Sequence, residues 1–367
     1  MTDKRLQLLL DLLEKHSIDA VAINPGPALT YLTGLSFHLM ERPTVLLVSR
    51  KNPPVLILPE LEIAKINSSR IPLIPVTFPD DPAVWGSAFV SAVDKSGLEK
   101  ARIGVEPTRL RFLEMNYLQQ AAPDAKFIGA DVLFSELRLC KDALEIKLMR
   151  EAIRIAQDAL EATLPIIKEG RTEKEIAAEL IVNLYRQGSA AELPFAPIVA
   201  GGPNSANPHA EVSERALCKG DLLVIDWGGS YEGLFSDLTR TFAIGDVDPE
   251  LRTIYEAVKQ ANVAGRAAGK PGVEAGNVDK AARAVIENAG YGKFFTHRTG
   301  HGLGMEAHEA PYMFGNNKLI LQPGMVYTVE PGIYLPDRGG VRIEDNIVVT
   351  ENGCETLSSY SREFRAL

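Results

Sequence analysis

Cysteine is scarce in this chain. Only Cys140, Cys218 and Cys354 occur in 367 residues, too few and too scattered for a disulfide framework or a thiolate-ligated metal site. A reducing, cytoplasmic setting fits that sparsity. Long apolar runs are missing too. No stretch reaches the roughly 18 apolar residues that a membrane-spanning helix needs. The opening "MTDKRLQLLLDLLEKHS" breaks its leucines with Asp11 and Glu14, so it reads as an amphipathic helix and not as a secretory signal. Positive charge is in deficit: the formal net charge is −9, and no Lys/Arg cluster stands out. That excludes the electrostatic footprint of a nucleic-acid or anionic-membrane binder. Histidine is rare, yet four of the six, His209, His297, His301 and His308, fall between residues 195 and 345.

What is present is ordinary for a water-soluble globular chain, with 46% hydrophobic and 24% charged residues. The length allows two domains with separate cores. Up to about residue 130, helix-like and strand-like segments alternate, as in a small α/β domain. A helix near 3–16 leads into the strand "DAVAI". "PTVLLVSRKNPPVLILP" reads as a hairpin around Lys-Asn-Pro-Pro. "ELEIAKI" reads as helical. We place the domain division so that 1–132 form the first domain and 133–367 the second. Apolar positions 144, 148, 152, 155 and 159 then predict an amphipathic helix over about 143–168. A capping box at Thr172 and Glu175 predicts a second helix over 172–187.

Chemistry concentrates after that point. In "LLVIDWGGSYEGLFSDLTRTF" an apolar strand ends in Asp226, and its return strand opens with Asp237. In "QPGMVYTVEPGIYLPDRGGVRIEDNIVV" a strand ends in Glu330 and the return runs through Glu344. Gly220 stands six residues before Asp226, and Gly324 six before Glu330. The layout suggests a faint internal duplication, two hairpins each offering two carboxylates. Four buried carboxylates cannot stay ionised side by side without compensation. Arg240, Arg298, Arg338 and Arg342 are too few to cover all four, whereas two divalent cations would neutralise them. "HRTGHGLGMEAHEAPY" adds His297, His301 and His308. Its glycines oppose a helix and favour an extended or bulged segment. Four carboxylates and an imidazole form a hard, oxygen-rich donor set, suited to manganese, cobalt, iron or zinc.

With "PNSANPHAE" and "VRIEDNIVV" these stretches resemble, in order and across nearly all of 143–367, the pita-bread metallopeptidases: methionine aminopeptidase, aminopeptidase P and prolidase. The first 130 residues, including "YLTGL", resemble the smaller domain of the prolidase, aminopeptidase P and creatinase branch. The resemblance implies an α+β fold in which a pita-bread domain follows a creatinase-type α/β domain. It implies two divalent cations per subunit, Mn²⁺ or Co²⁺ foremost and Zn²⁺ or Fe²⁺ as alternatives. Asp226 would chelate one, Asp237 and Glu344 would bridge both, and His301 and Glu330 would hold the second. A water or hydroxide shared by the metals would attack the bond before proline, with Glu330 passing on a proton. His209 and His308 would flank the scissile carbonyl, and His297 and Arg342 match further active-site positions. Arg342 would orient Asp226 from behind. Substrates would be proline-containing dipeptides or short peptides, and the enzyme a homodimer. One position departs from the pattern. Dipeptidases of this family often carry Arg four residues after the His matched by His308, and here that residue is Tyr312. Arg298, Arg338 or Arg342 would have to meet a substrate carboxylate instead. The departure keeps the aminopeptidase P type in play. It also leaves open a relative acting on non-proline amides and a metal-free peptide-binding module of the same fold.

Overall fold

Asp3 opens the first helix, α1 (Lys4–Lys15), by accepting the N–H groups of Arg5 and Leu6 on its carboxylate. The computed structural model describes residues 3–367, which divide into two units at Arg138 and Leu139.

In the first unit six strands form one mixed sheet in the order β4-β3-β2-β1-β5-β6. They are β1 (Ala20–Ile23), β2 (Val45–Ser49), β3 (Val55–Pro59), β4 (Ile74–Phe78), β5 (Arg102–Val105) and β6 (Lys126–Gly129). The helices are α1, α2 (Pro27–Thr33), α3 (Trp85–Ser96), α4 (Phe112–Ala121) and α5 (Asp131–Arg138). β2 and β3 form the antiparallel hairpin read from the sequence, with Val45 opposite Ile57. Alternate strand residues Ala20, Ala22, Val45, Leu47 and Ile57 pack on Phe89, Ala92 and Val93 of α3. "ELEIAKI" lies in a 3₁₀ helix, Glu60–Ser68, with no buried residue. Leu61 and Ile63 stay exposed, so no packed face holds the segment as a longer α-helix.

The second unit opens with α6 (Ala143–Thr163) and α7 (Glu173–Arg186), each started by a complete capping box, at Asp142/Glu145 and Thr172/Glu175. α6 stops five residues short of the helix expected to 168. Pro165 lacks the N–H that Glu161 would need, and the chain tightens into a 3₁₀ turn over Leu164–Ile166. A three-stranded sheet follows, ordered β11-β8-β7, from β7 (Ile198–Gly201), β8 (Leu222–Trp227) and β11 (Leu238–Ala243). Between β8 and β11 a small hairpin, β9 (Ser230–Tyr231) and β10 (Leu234–Phe235), turns at Glu232 and Gly233, both with positive φ. Two more helices come next, α8 (Pro249–Ala268) and α9 (Gly276–Asn288). A five-stranded sheet, β13-β12-β14-β17-β18, closes the unit. Its strands are β12 (Gly300–Gly302), β13 (Glu309–Met313), β14 (Val326–Val329), β17 (Asp345–Thr350) and β18 (Gly353–Thr356). Between β14 and β17 sits a second small hairpin, β15 (Gly332–Leu335) and β16 (Gly339–Arg342).

The internal duplication is therefore structural: helix pair, long hairpin, small inserted hairpin, twice over. α6 and α7 bury Ile153, Leu160, Ile176 and Leu180 against Leu223, Ile225 and Phe242. α8 and α9 bury Ile254, Val258, Ala282 and Ile286 against Ile333, Val341 and Ile343. The two halves meet where Glu344 N–H donates to the Thr239 carbonyl at 3.0 Å, an isolated bridge between the long hairpins.

A buried ionic knot backs this seam. Asp345 is fully buried and accepts from Arg240, Arg362, Ser358 and Asn262. Burial opposes its ionisation, but the guanidinium groups of Arg240 and Arg362 hold the carboxyl well below the usual carboxylate range. That contribution to stability is present above pH ~4, the ordinary unfolded value, and is lost as pH falls toward the depressed folded value. Asp345→Asn leaves buried guanidinium charge uncompensated, a loss of about 3–5 kcal/mol. Thermal unfolding at neutral pH should show a fall of several degrees in the midpoint. An unchanged midpoint contradicts this account of the seam.

Candidate metal centre

Asp226 is the fifth of six residues in β8, and Asp237 immediately precedes β11. In the register of that hairpin Asp226 faces Thr239. Glu330 immediately follows β14, and Glu344 immediately precedes β17. Each long hairpin thus delivers its two acids at one end. Period-two alternation turns Asp237 and Thr239 to the same side, and Arg240 to the other, where it pairs with Asp345.

Oxygen and nitrogen atoms of these residues converge. Ligand-type atoms of Asp226, Asp237 and Glu344 lie within 4.8 Å of one another, and so do those of His301, Glu330 and Glu344. Ligand-type atoms of Asp237, His301 and His308 likewise lie within 4.8 Å of one another. His301 Nε2 stands 3.2 Å from Glu330 Oε1 and 3.6 Å from Asp237 Oδ2. The His301 and His308 rings are 3.9 Å apart, which brings His308 close enough to be a donor on geometry alone.

The His segment reaches this point through a bulge. β12 pairs with β13 through a register shift between Gly300 and Gly302. A Cβ on Gly300 would lie 1.9 Å from the Thr328 carbonyl oxygen, so only glycine lets the strand come this close to β14. His301 N–H donates to Thr328 Oγ1 at 3.1 Å, and Thr328 Oγ1 lies 3.2 Å from Glu330 Oε1.

Four carboxylates in this space have little protein charge to balance them. Of the four arginines weighed from the sequence, only Arg342 reaches a cluster carboxylate, with Nη2 at 2.6 Å from Asp226 Oδ2. Arg338 pairs with Glu250 and Asp248, and Arg298 lies over the Tyr312 ring. Burial, then the charges of Glu344, Asp226 and Glu330, push the Asp237 carboxyl well up. Burial, Glu330 and Asp226 do the same to Glu344. Burial also raises Asp226, with Arg342 opposing. Glu330 goes the other way: burial raises it, but His301, His297 and Arg342 bring it down to about 2.

The donor set fits divalent cations. Asp226 Oδ1 and Glu344 Oε1 are buried without a hydrogen-bond partner among the described residues. Such atoms are costly unless something outside the protein meets them. His301 Nδ1 lies 3.1 Å from the Gly302 carbonyl. In the neutral ring this fixes the proton on Nδ1 and leaves the Nε2 lone pair turned to the acids.

Several supporting residues escaped the sequence reading. Thr239 Oγ1 donates to Glu344 Oε2 at 2.6 Å and accepts from Arg342 Nε at 3.1 Å. Thr239 lies two residues after Asp237, and Thr328 two before Glu330, so strand periodicity could have pointed to both. Tyr334 had no such signal. Its hydroxyl accepts from Arg342 Nη1 at 3.0 Å and donates to His297 Nε2 at 2.9 Å, while His297 Nδ1–H donates to the Arg298 carbonyl at 2.7 Å. Arg342 Nη1 also donates to the Pro208 carbonyl at 3.2 Å. That bond tethers the exposed loop of His209, whose N–H is held by Asn207 Oδ1. Burial depresses His297, against Glu330. Burial, His301 and then Arg298 and His209 take His308 down to about 4, with Glu330 opposing.

Fold and site together define a candidate centre for divalent cations on a duplicated α+β scaffold. The chain belongs to metallopeptidase family M24, whose model matches residues 147–351, and its first unit matches the creatinase/prolidase N-terminal domain over residues 5–140. The second unit has the pita-bread fold of that family. The chain is 35% identical over 363 residues to an Xaa-Pro dipeptidase of Pyrococcus horikoshii, covering 98% of each chain. A crystal structure of a dipeptidase from Pyrococcus horikoshii superposes with a TM-score of 0.93 at 38% identity, covering 99% of this chain and all of that one. An Xaa-Pro dipeptidase from Bacillus anthracis gives 0.91 at 33% identity, covering 99% of both.

Ions that bind only the folded cluster stabilise it by mass action. Two equivalents of Mn²⁺ or Co²⁺ should bind the chelator-stripped chain and raise its thermal midpoint. Asp237→Asn should hold markedly less metal and lose most of that rise. A wild-type chain that retains no stoichiometric metal contradicts the assignment and points to a metal-free binding module.

Proposed function

We propose that the chain is an Xaa-Pro exopeptidase of the dipeptidase or aminopeptidase P type, hydrolysing the bond between an N-terminal residue and proline. The convergence of Asp226, Asp237, His301, Glu330 and Glu344 carries this reading, on a chain similar over 98% of its length to an Xaa-Pro dipeptidase. Asp226, Asp237 and Glu344 would hold one divalent cation, and His301, Glu330 and the same Asp237 and Glu344 the other. Mn²⁺ or Co²⁺ suits this donor set best, with Zn²⁺ or Fe²⁺ as alternatives. When bound, the cations would supply Lewis-acid polarisation of the scissile carbonyl and a water acidic enough to attack at neutral pH.

The remaining steps fall to side chains. Glu330, ionised at neutral pH, can accept the proton of the attacking water and return it to the leaving proline nitrogen. His308, neutral for the same pH range, can donate an N–H to the developing oxyanion. His209 would approach the substrate from its tethered loop. The path Asp226–Arg342–Tyr334–His297 keeps the His297 ring in one orientation. The amide before proline has no N–H, so a site that grips the carbonyl side and the carboxylate suits it. The proposal includes a homodimer, on the family resemblance. It also includes a cytoplasmic setting, which the three unpaired cysteines support.

Metal-loaded enzyme should cleave an Xaa-Pro dipeptide or an Xaa-Pro-Yaa tripeptide at least tenfold faster than the Xaa-Ala counterpart. Preference for Xaa-Ala or for a small non-peptide amide contradicts the reading. His308→Ala should keep its metal and lose on the order of 10²–10³ in kcat, the size of a lost oxyanion donor. Unchanged kcat removes His308 from the mechanism.

A further inference from the structure

We propose that Glu173, buried at the start of α7, is a positioning residue: its carboxylate gathers both ends of the 201–213 loop and so sets where His209 meets the substrate. This rests on the Xaa-Pro reading above and on the part it gives to His209.

Glu173 is the first residue of α7 and is fully buried. An acid at that position would complement the helix dipole equally well from the surface. Its oxygens instead meet donors that all come from one loop. Oε1 accepts from Gly201 N–H at 2.7 Å and from the Asn204 amide at 3.0 Å. Oε2 accepts from Ser213 N–H at 3.1 Å, from Ser213 Oγ at 2.6 Å and from the same Asn204 amide at 3.2 Å. Arg215, whose carbonyl accepts from Glu173 N–H, commits its guanidinium to Asp221. A carboxylate is costly to desolvate, and an apolar residue would suit a helix start in the core if only the helix mattered. An apolar residue would, however, leave the Gly201, Asn204 and Ser213 donors without this acceptor.

The loop needs such a hub because it has little regular structure of its own. Between Gly201, the end of β7, and Ser213 it contains one short 3₁₀ turn, Gly202–Ala206. Further tethers lead from that base toward His209. Ser205 Oγ donates to the Gly202 carbonyl at 2.6 Å and accepts from Gly340 N–H at 2.8 Å. A Cβ on Gly340 would lie 2.1 Å from the Ser205 carbonyl oxygen, so β16 rests directly on the loop. The Pro208 carbonyl is held by Arg342, which reaches Asp226 with its other arm at 2.6 Å. His209 itself is exposed, with its N–H fixed by Asn207 Oδ1. The loop thus presents an imidazole on a fixed backbone, one guanidinium away from the acid cluster. Loosening its base at Glu173 moves that ring, while the acids stay where the ends of the long hairpins hold them.

The test is a double-mutant cycle between Glu173→Gln and His209→Ala. It reads kcat and KM for an Xaa-Pro dipeptide on Mn²⁺-loaded enzyme, with bound Mn²⁺ measured in each variant. Glu173→Gln, which sets an amide against those donors, should keep the metal content of wild type. It should lose on the order of 10- to 100-fold in kcat/KM, the effect of a misplaced reacting group, and chiefly in kcat. Added to His209→Ala it should cost less than about twofold, because the group it positions is gone. A residue that only supports the scaffold lowers both backgrounds by the same factor, and that result overturns the proposal. So does an unchanged kcat/KM in folded Glu173→Gln or in His209→Ala. Ser213→Ala removes one donor and keeps the carboxylate; if Glu173→Gln does not fold, the same cycle with Ser213→Ala decides, with a smaller loss expected. If His209→Ala is too slow to assay, a crystal structure of the folded loop variant decides. A 204–209 segment displaced beside an unmoved acid cluster supports the proposal, and a segment left in place overturns it. In all these outcomes wild type still cuts the Xaa-Pro bond; if it does not, the Xaa-Pro reading itself falls and this inference with it.

Discussion

Mutual repulsion among Asp226, Asp237, Glu330 and Glu344 is the constraint that organises the second unit. Ionised carboxylates repel, and low-dielectric surroundings amplify the repulsion. Among the described residues, one guanidinium and one imidazole pair with the four, Arg342 and His301. Three of the acids, Asp226, Asp237 and Glu344, are pushed up by burial and by their charged neighbours. The site is thus made at the expense of stability, and the surrounding scaffold must hold it together. The Asp345 knot and the Thr239–Glu344 bridge sit directly behind it.

Duplication solves the geometric half of that problem. A hairpin can present two acids at one end, because one terminates a strand and the other begins its partner. Two such hairpins meeting end to end give four acids around a small volume without any long loop. The bulged His segment brings one imidazole nitrogen to the acids where glycine allows the strand to approach. The inserted hairpin β15–β16 does more than close a turn. It carries Tyr334 and Arg342, and through them links Asp226 of the acid cluster to His297 and to the loop of His209.

Much of this was legible in the residue order, for identifiable reasons. An apolar run that stops at an acid marks a strand end, so Asp226 and Glu330 could be placed without coordinates. The capping box at Thr172 and Glu175 located the start of α7 because both reciprocal partners are local. Pro165 should have shortened the preceding helix, whose apolar spacing ends at Ala159, six residues before it. Arg240 was weighed as a counter-charge to the cluster. Alternation along β11 turns it away, to Asp345. Tyr334 could not have been found, since its partners lie 8 and 37 positions away on other elements. Nor could the stacking of Arg298 on Tyr312, which depends on the register of the bulge.

The central claim is that these five side chains cage a pair of dications. Anomalous diffraction from a crystal grown with Mn²⁺ reads it without reference to turnover. Two peaks should appear inside the cluster, both in contact with Asp237 and Glu344, one adding Asp226 and the other His301 and Glu330. Acids turned apart toward solvent, with no peak among them, would contradict it.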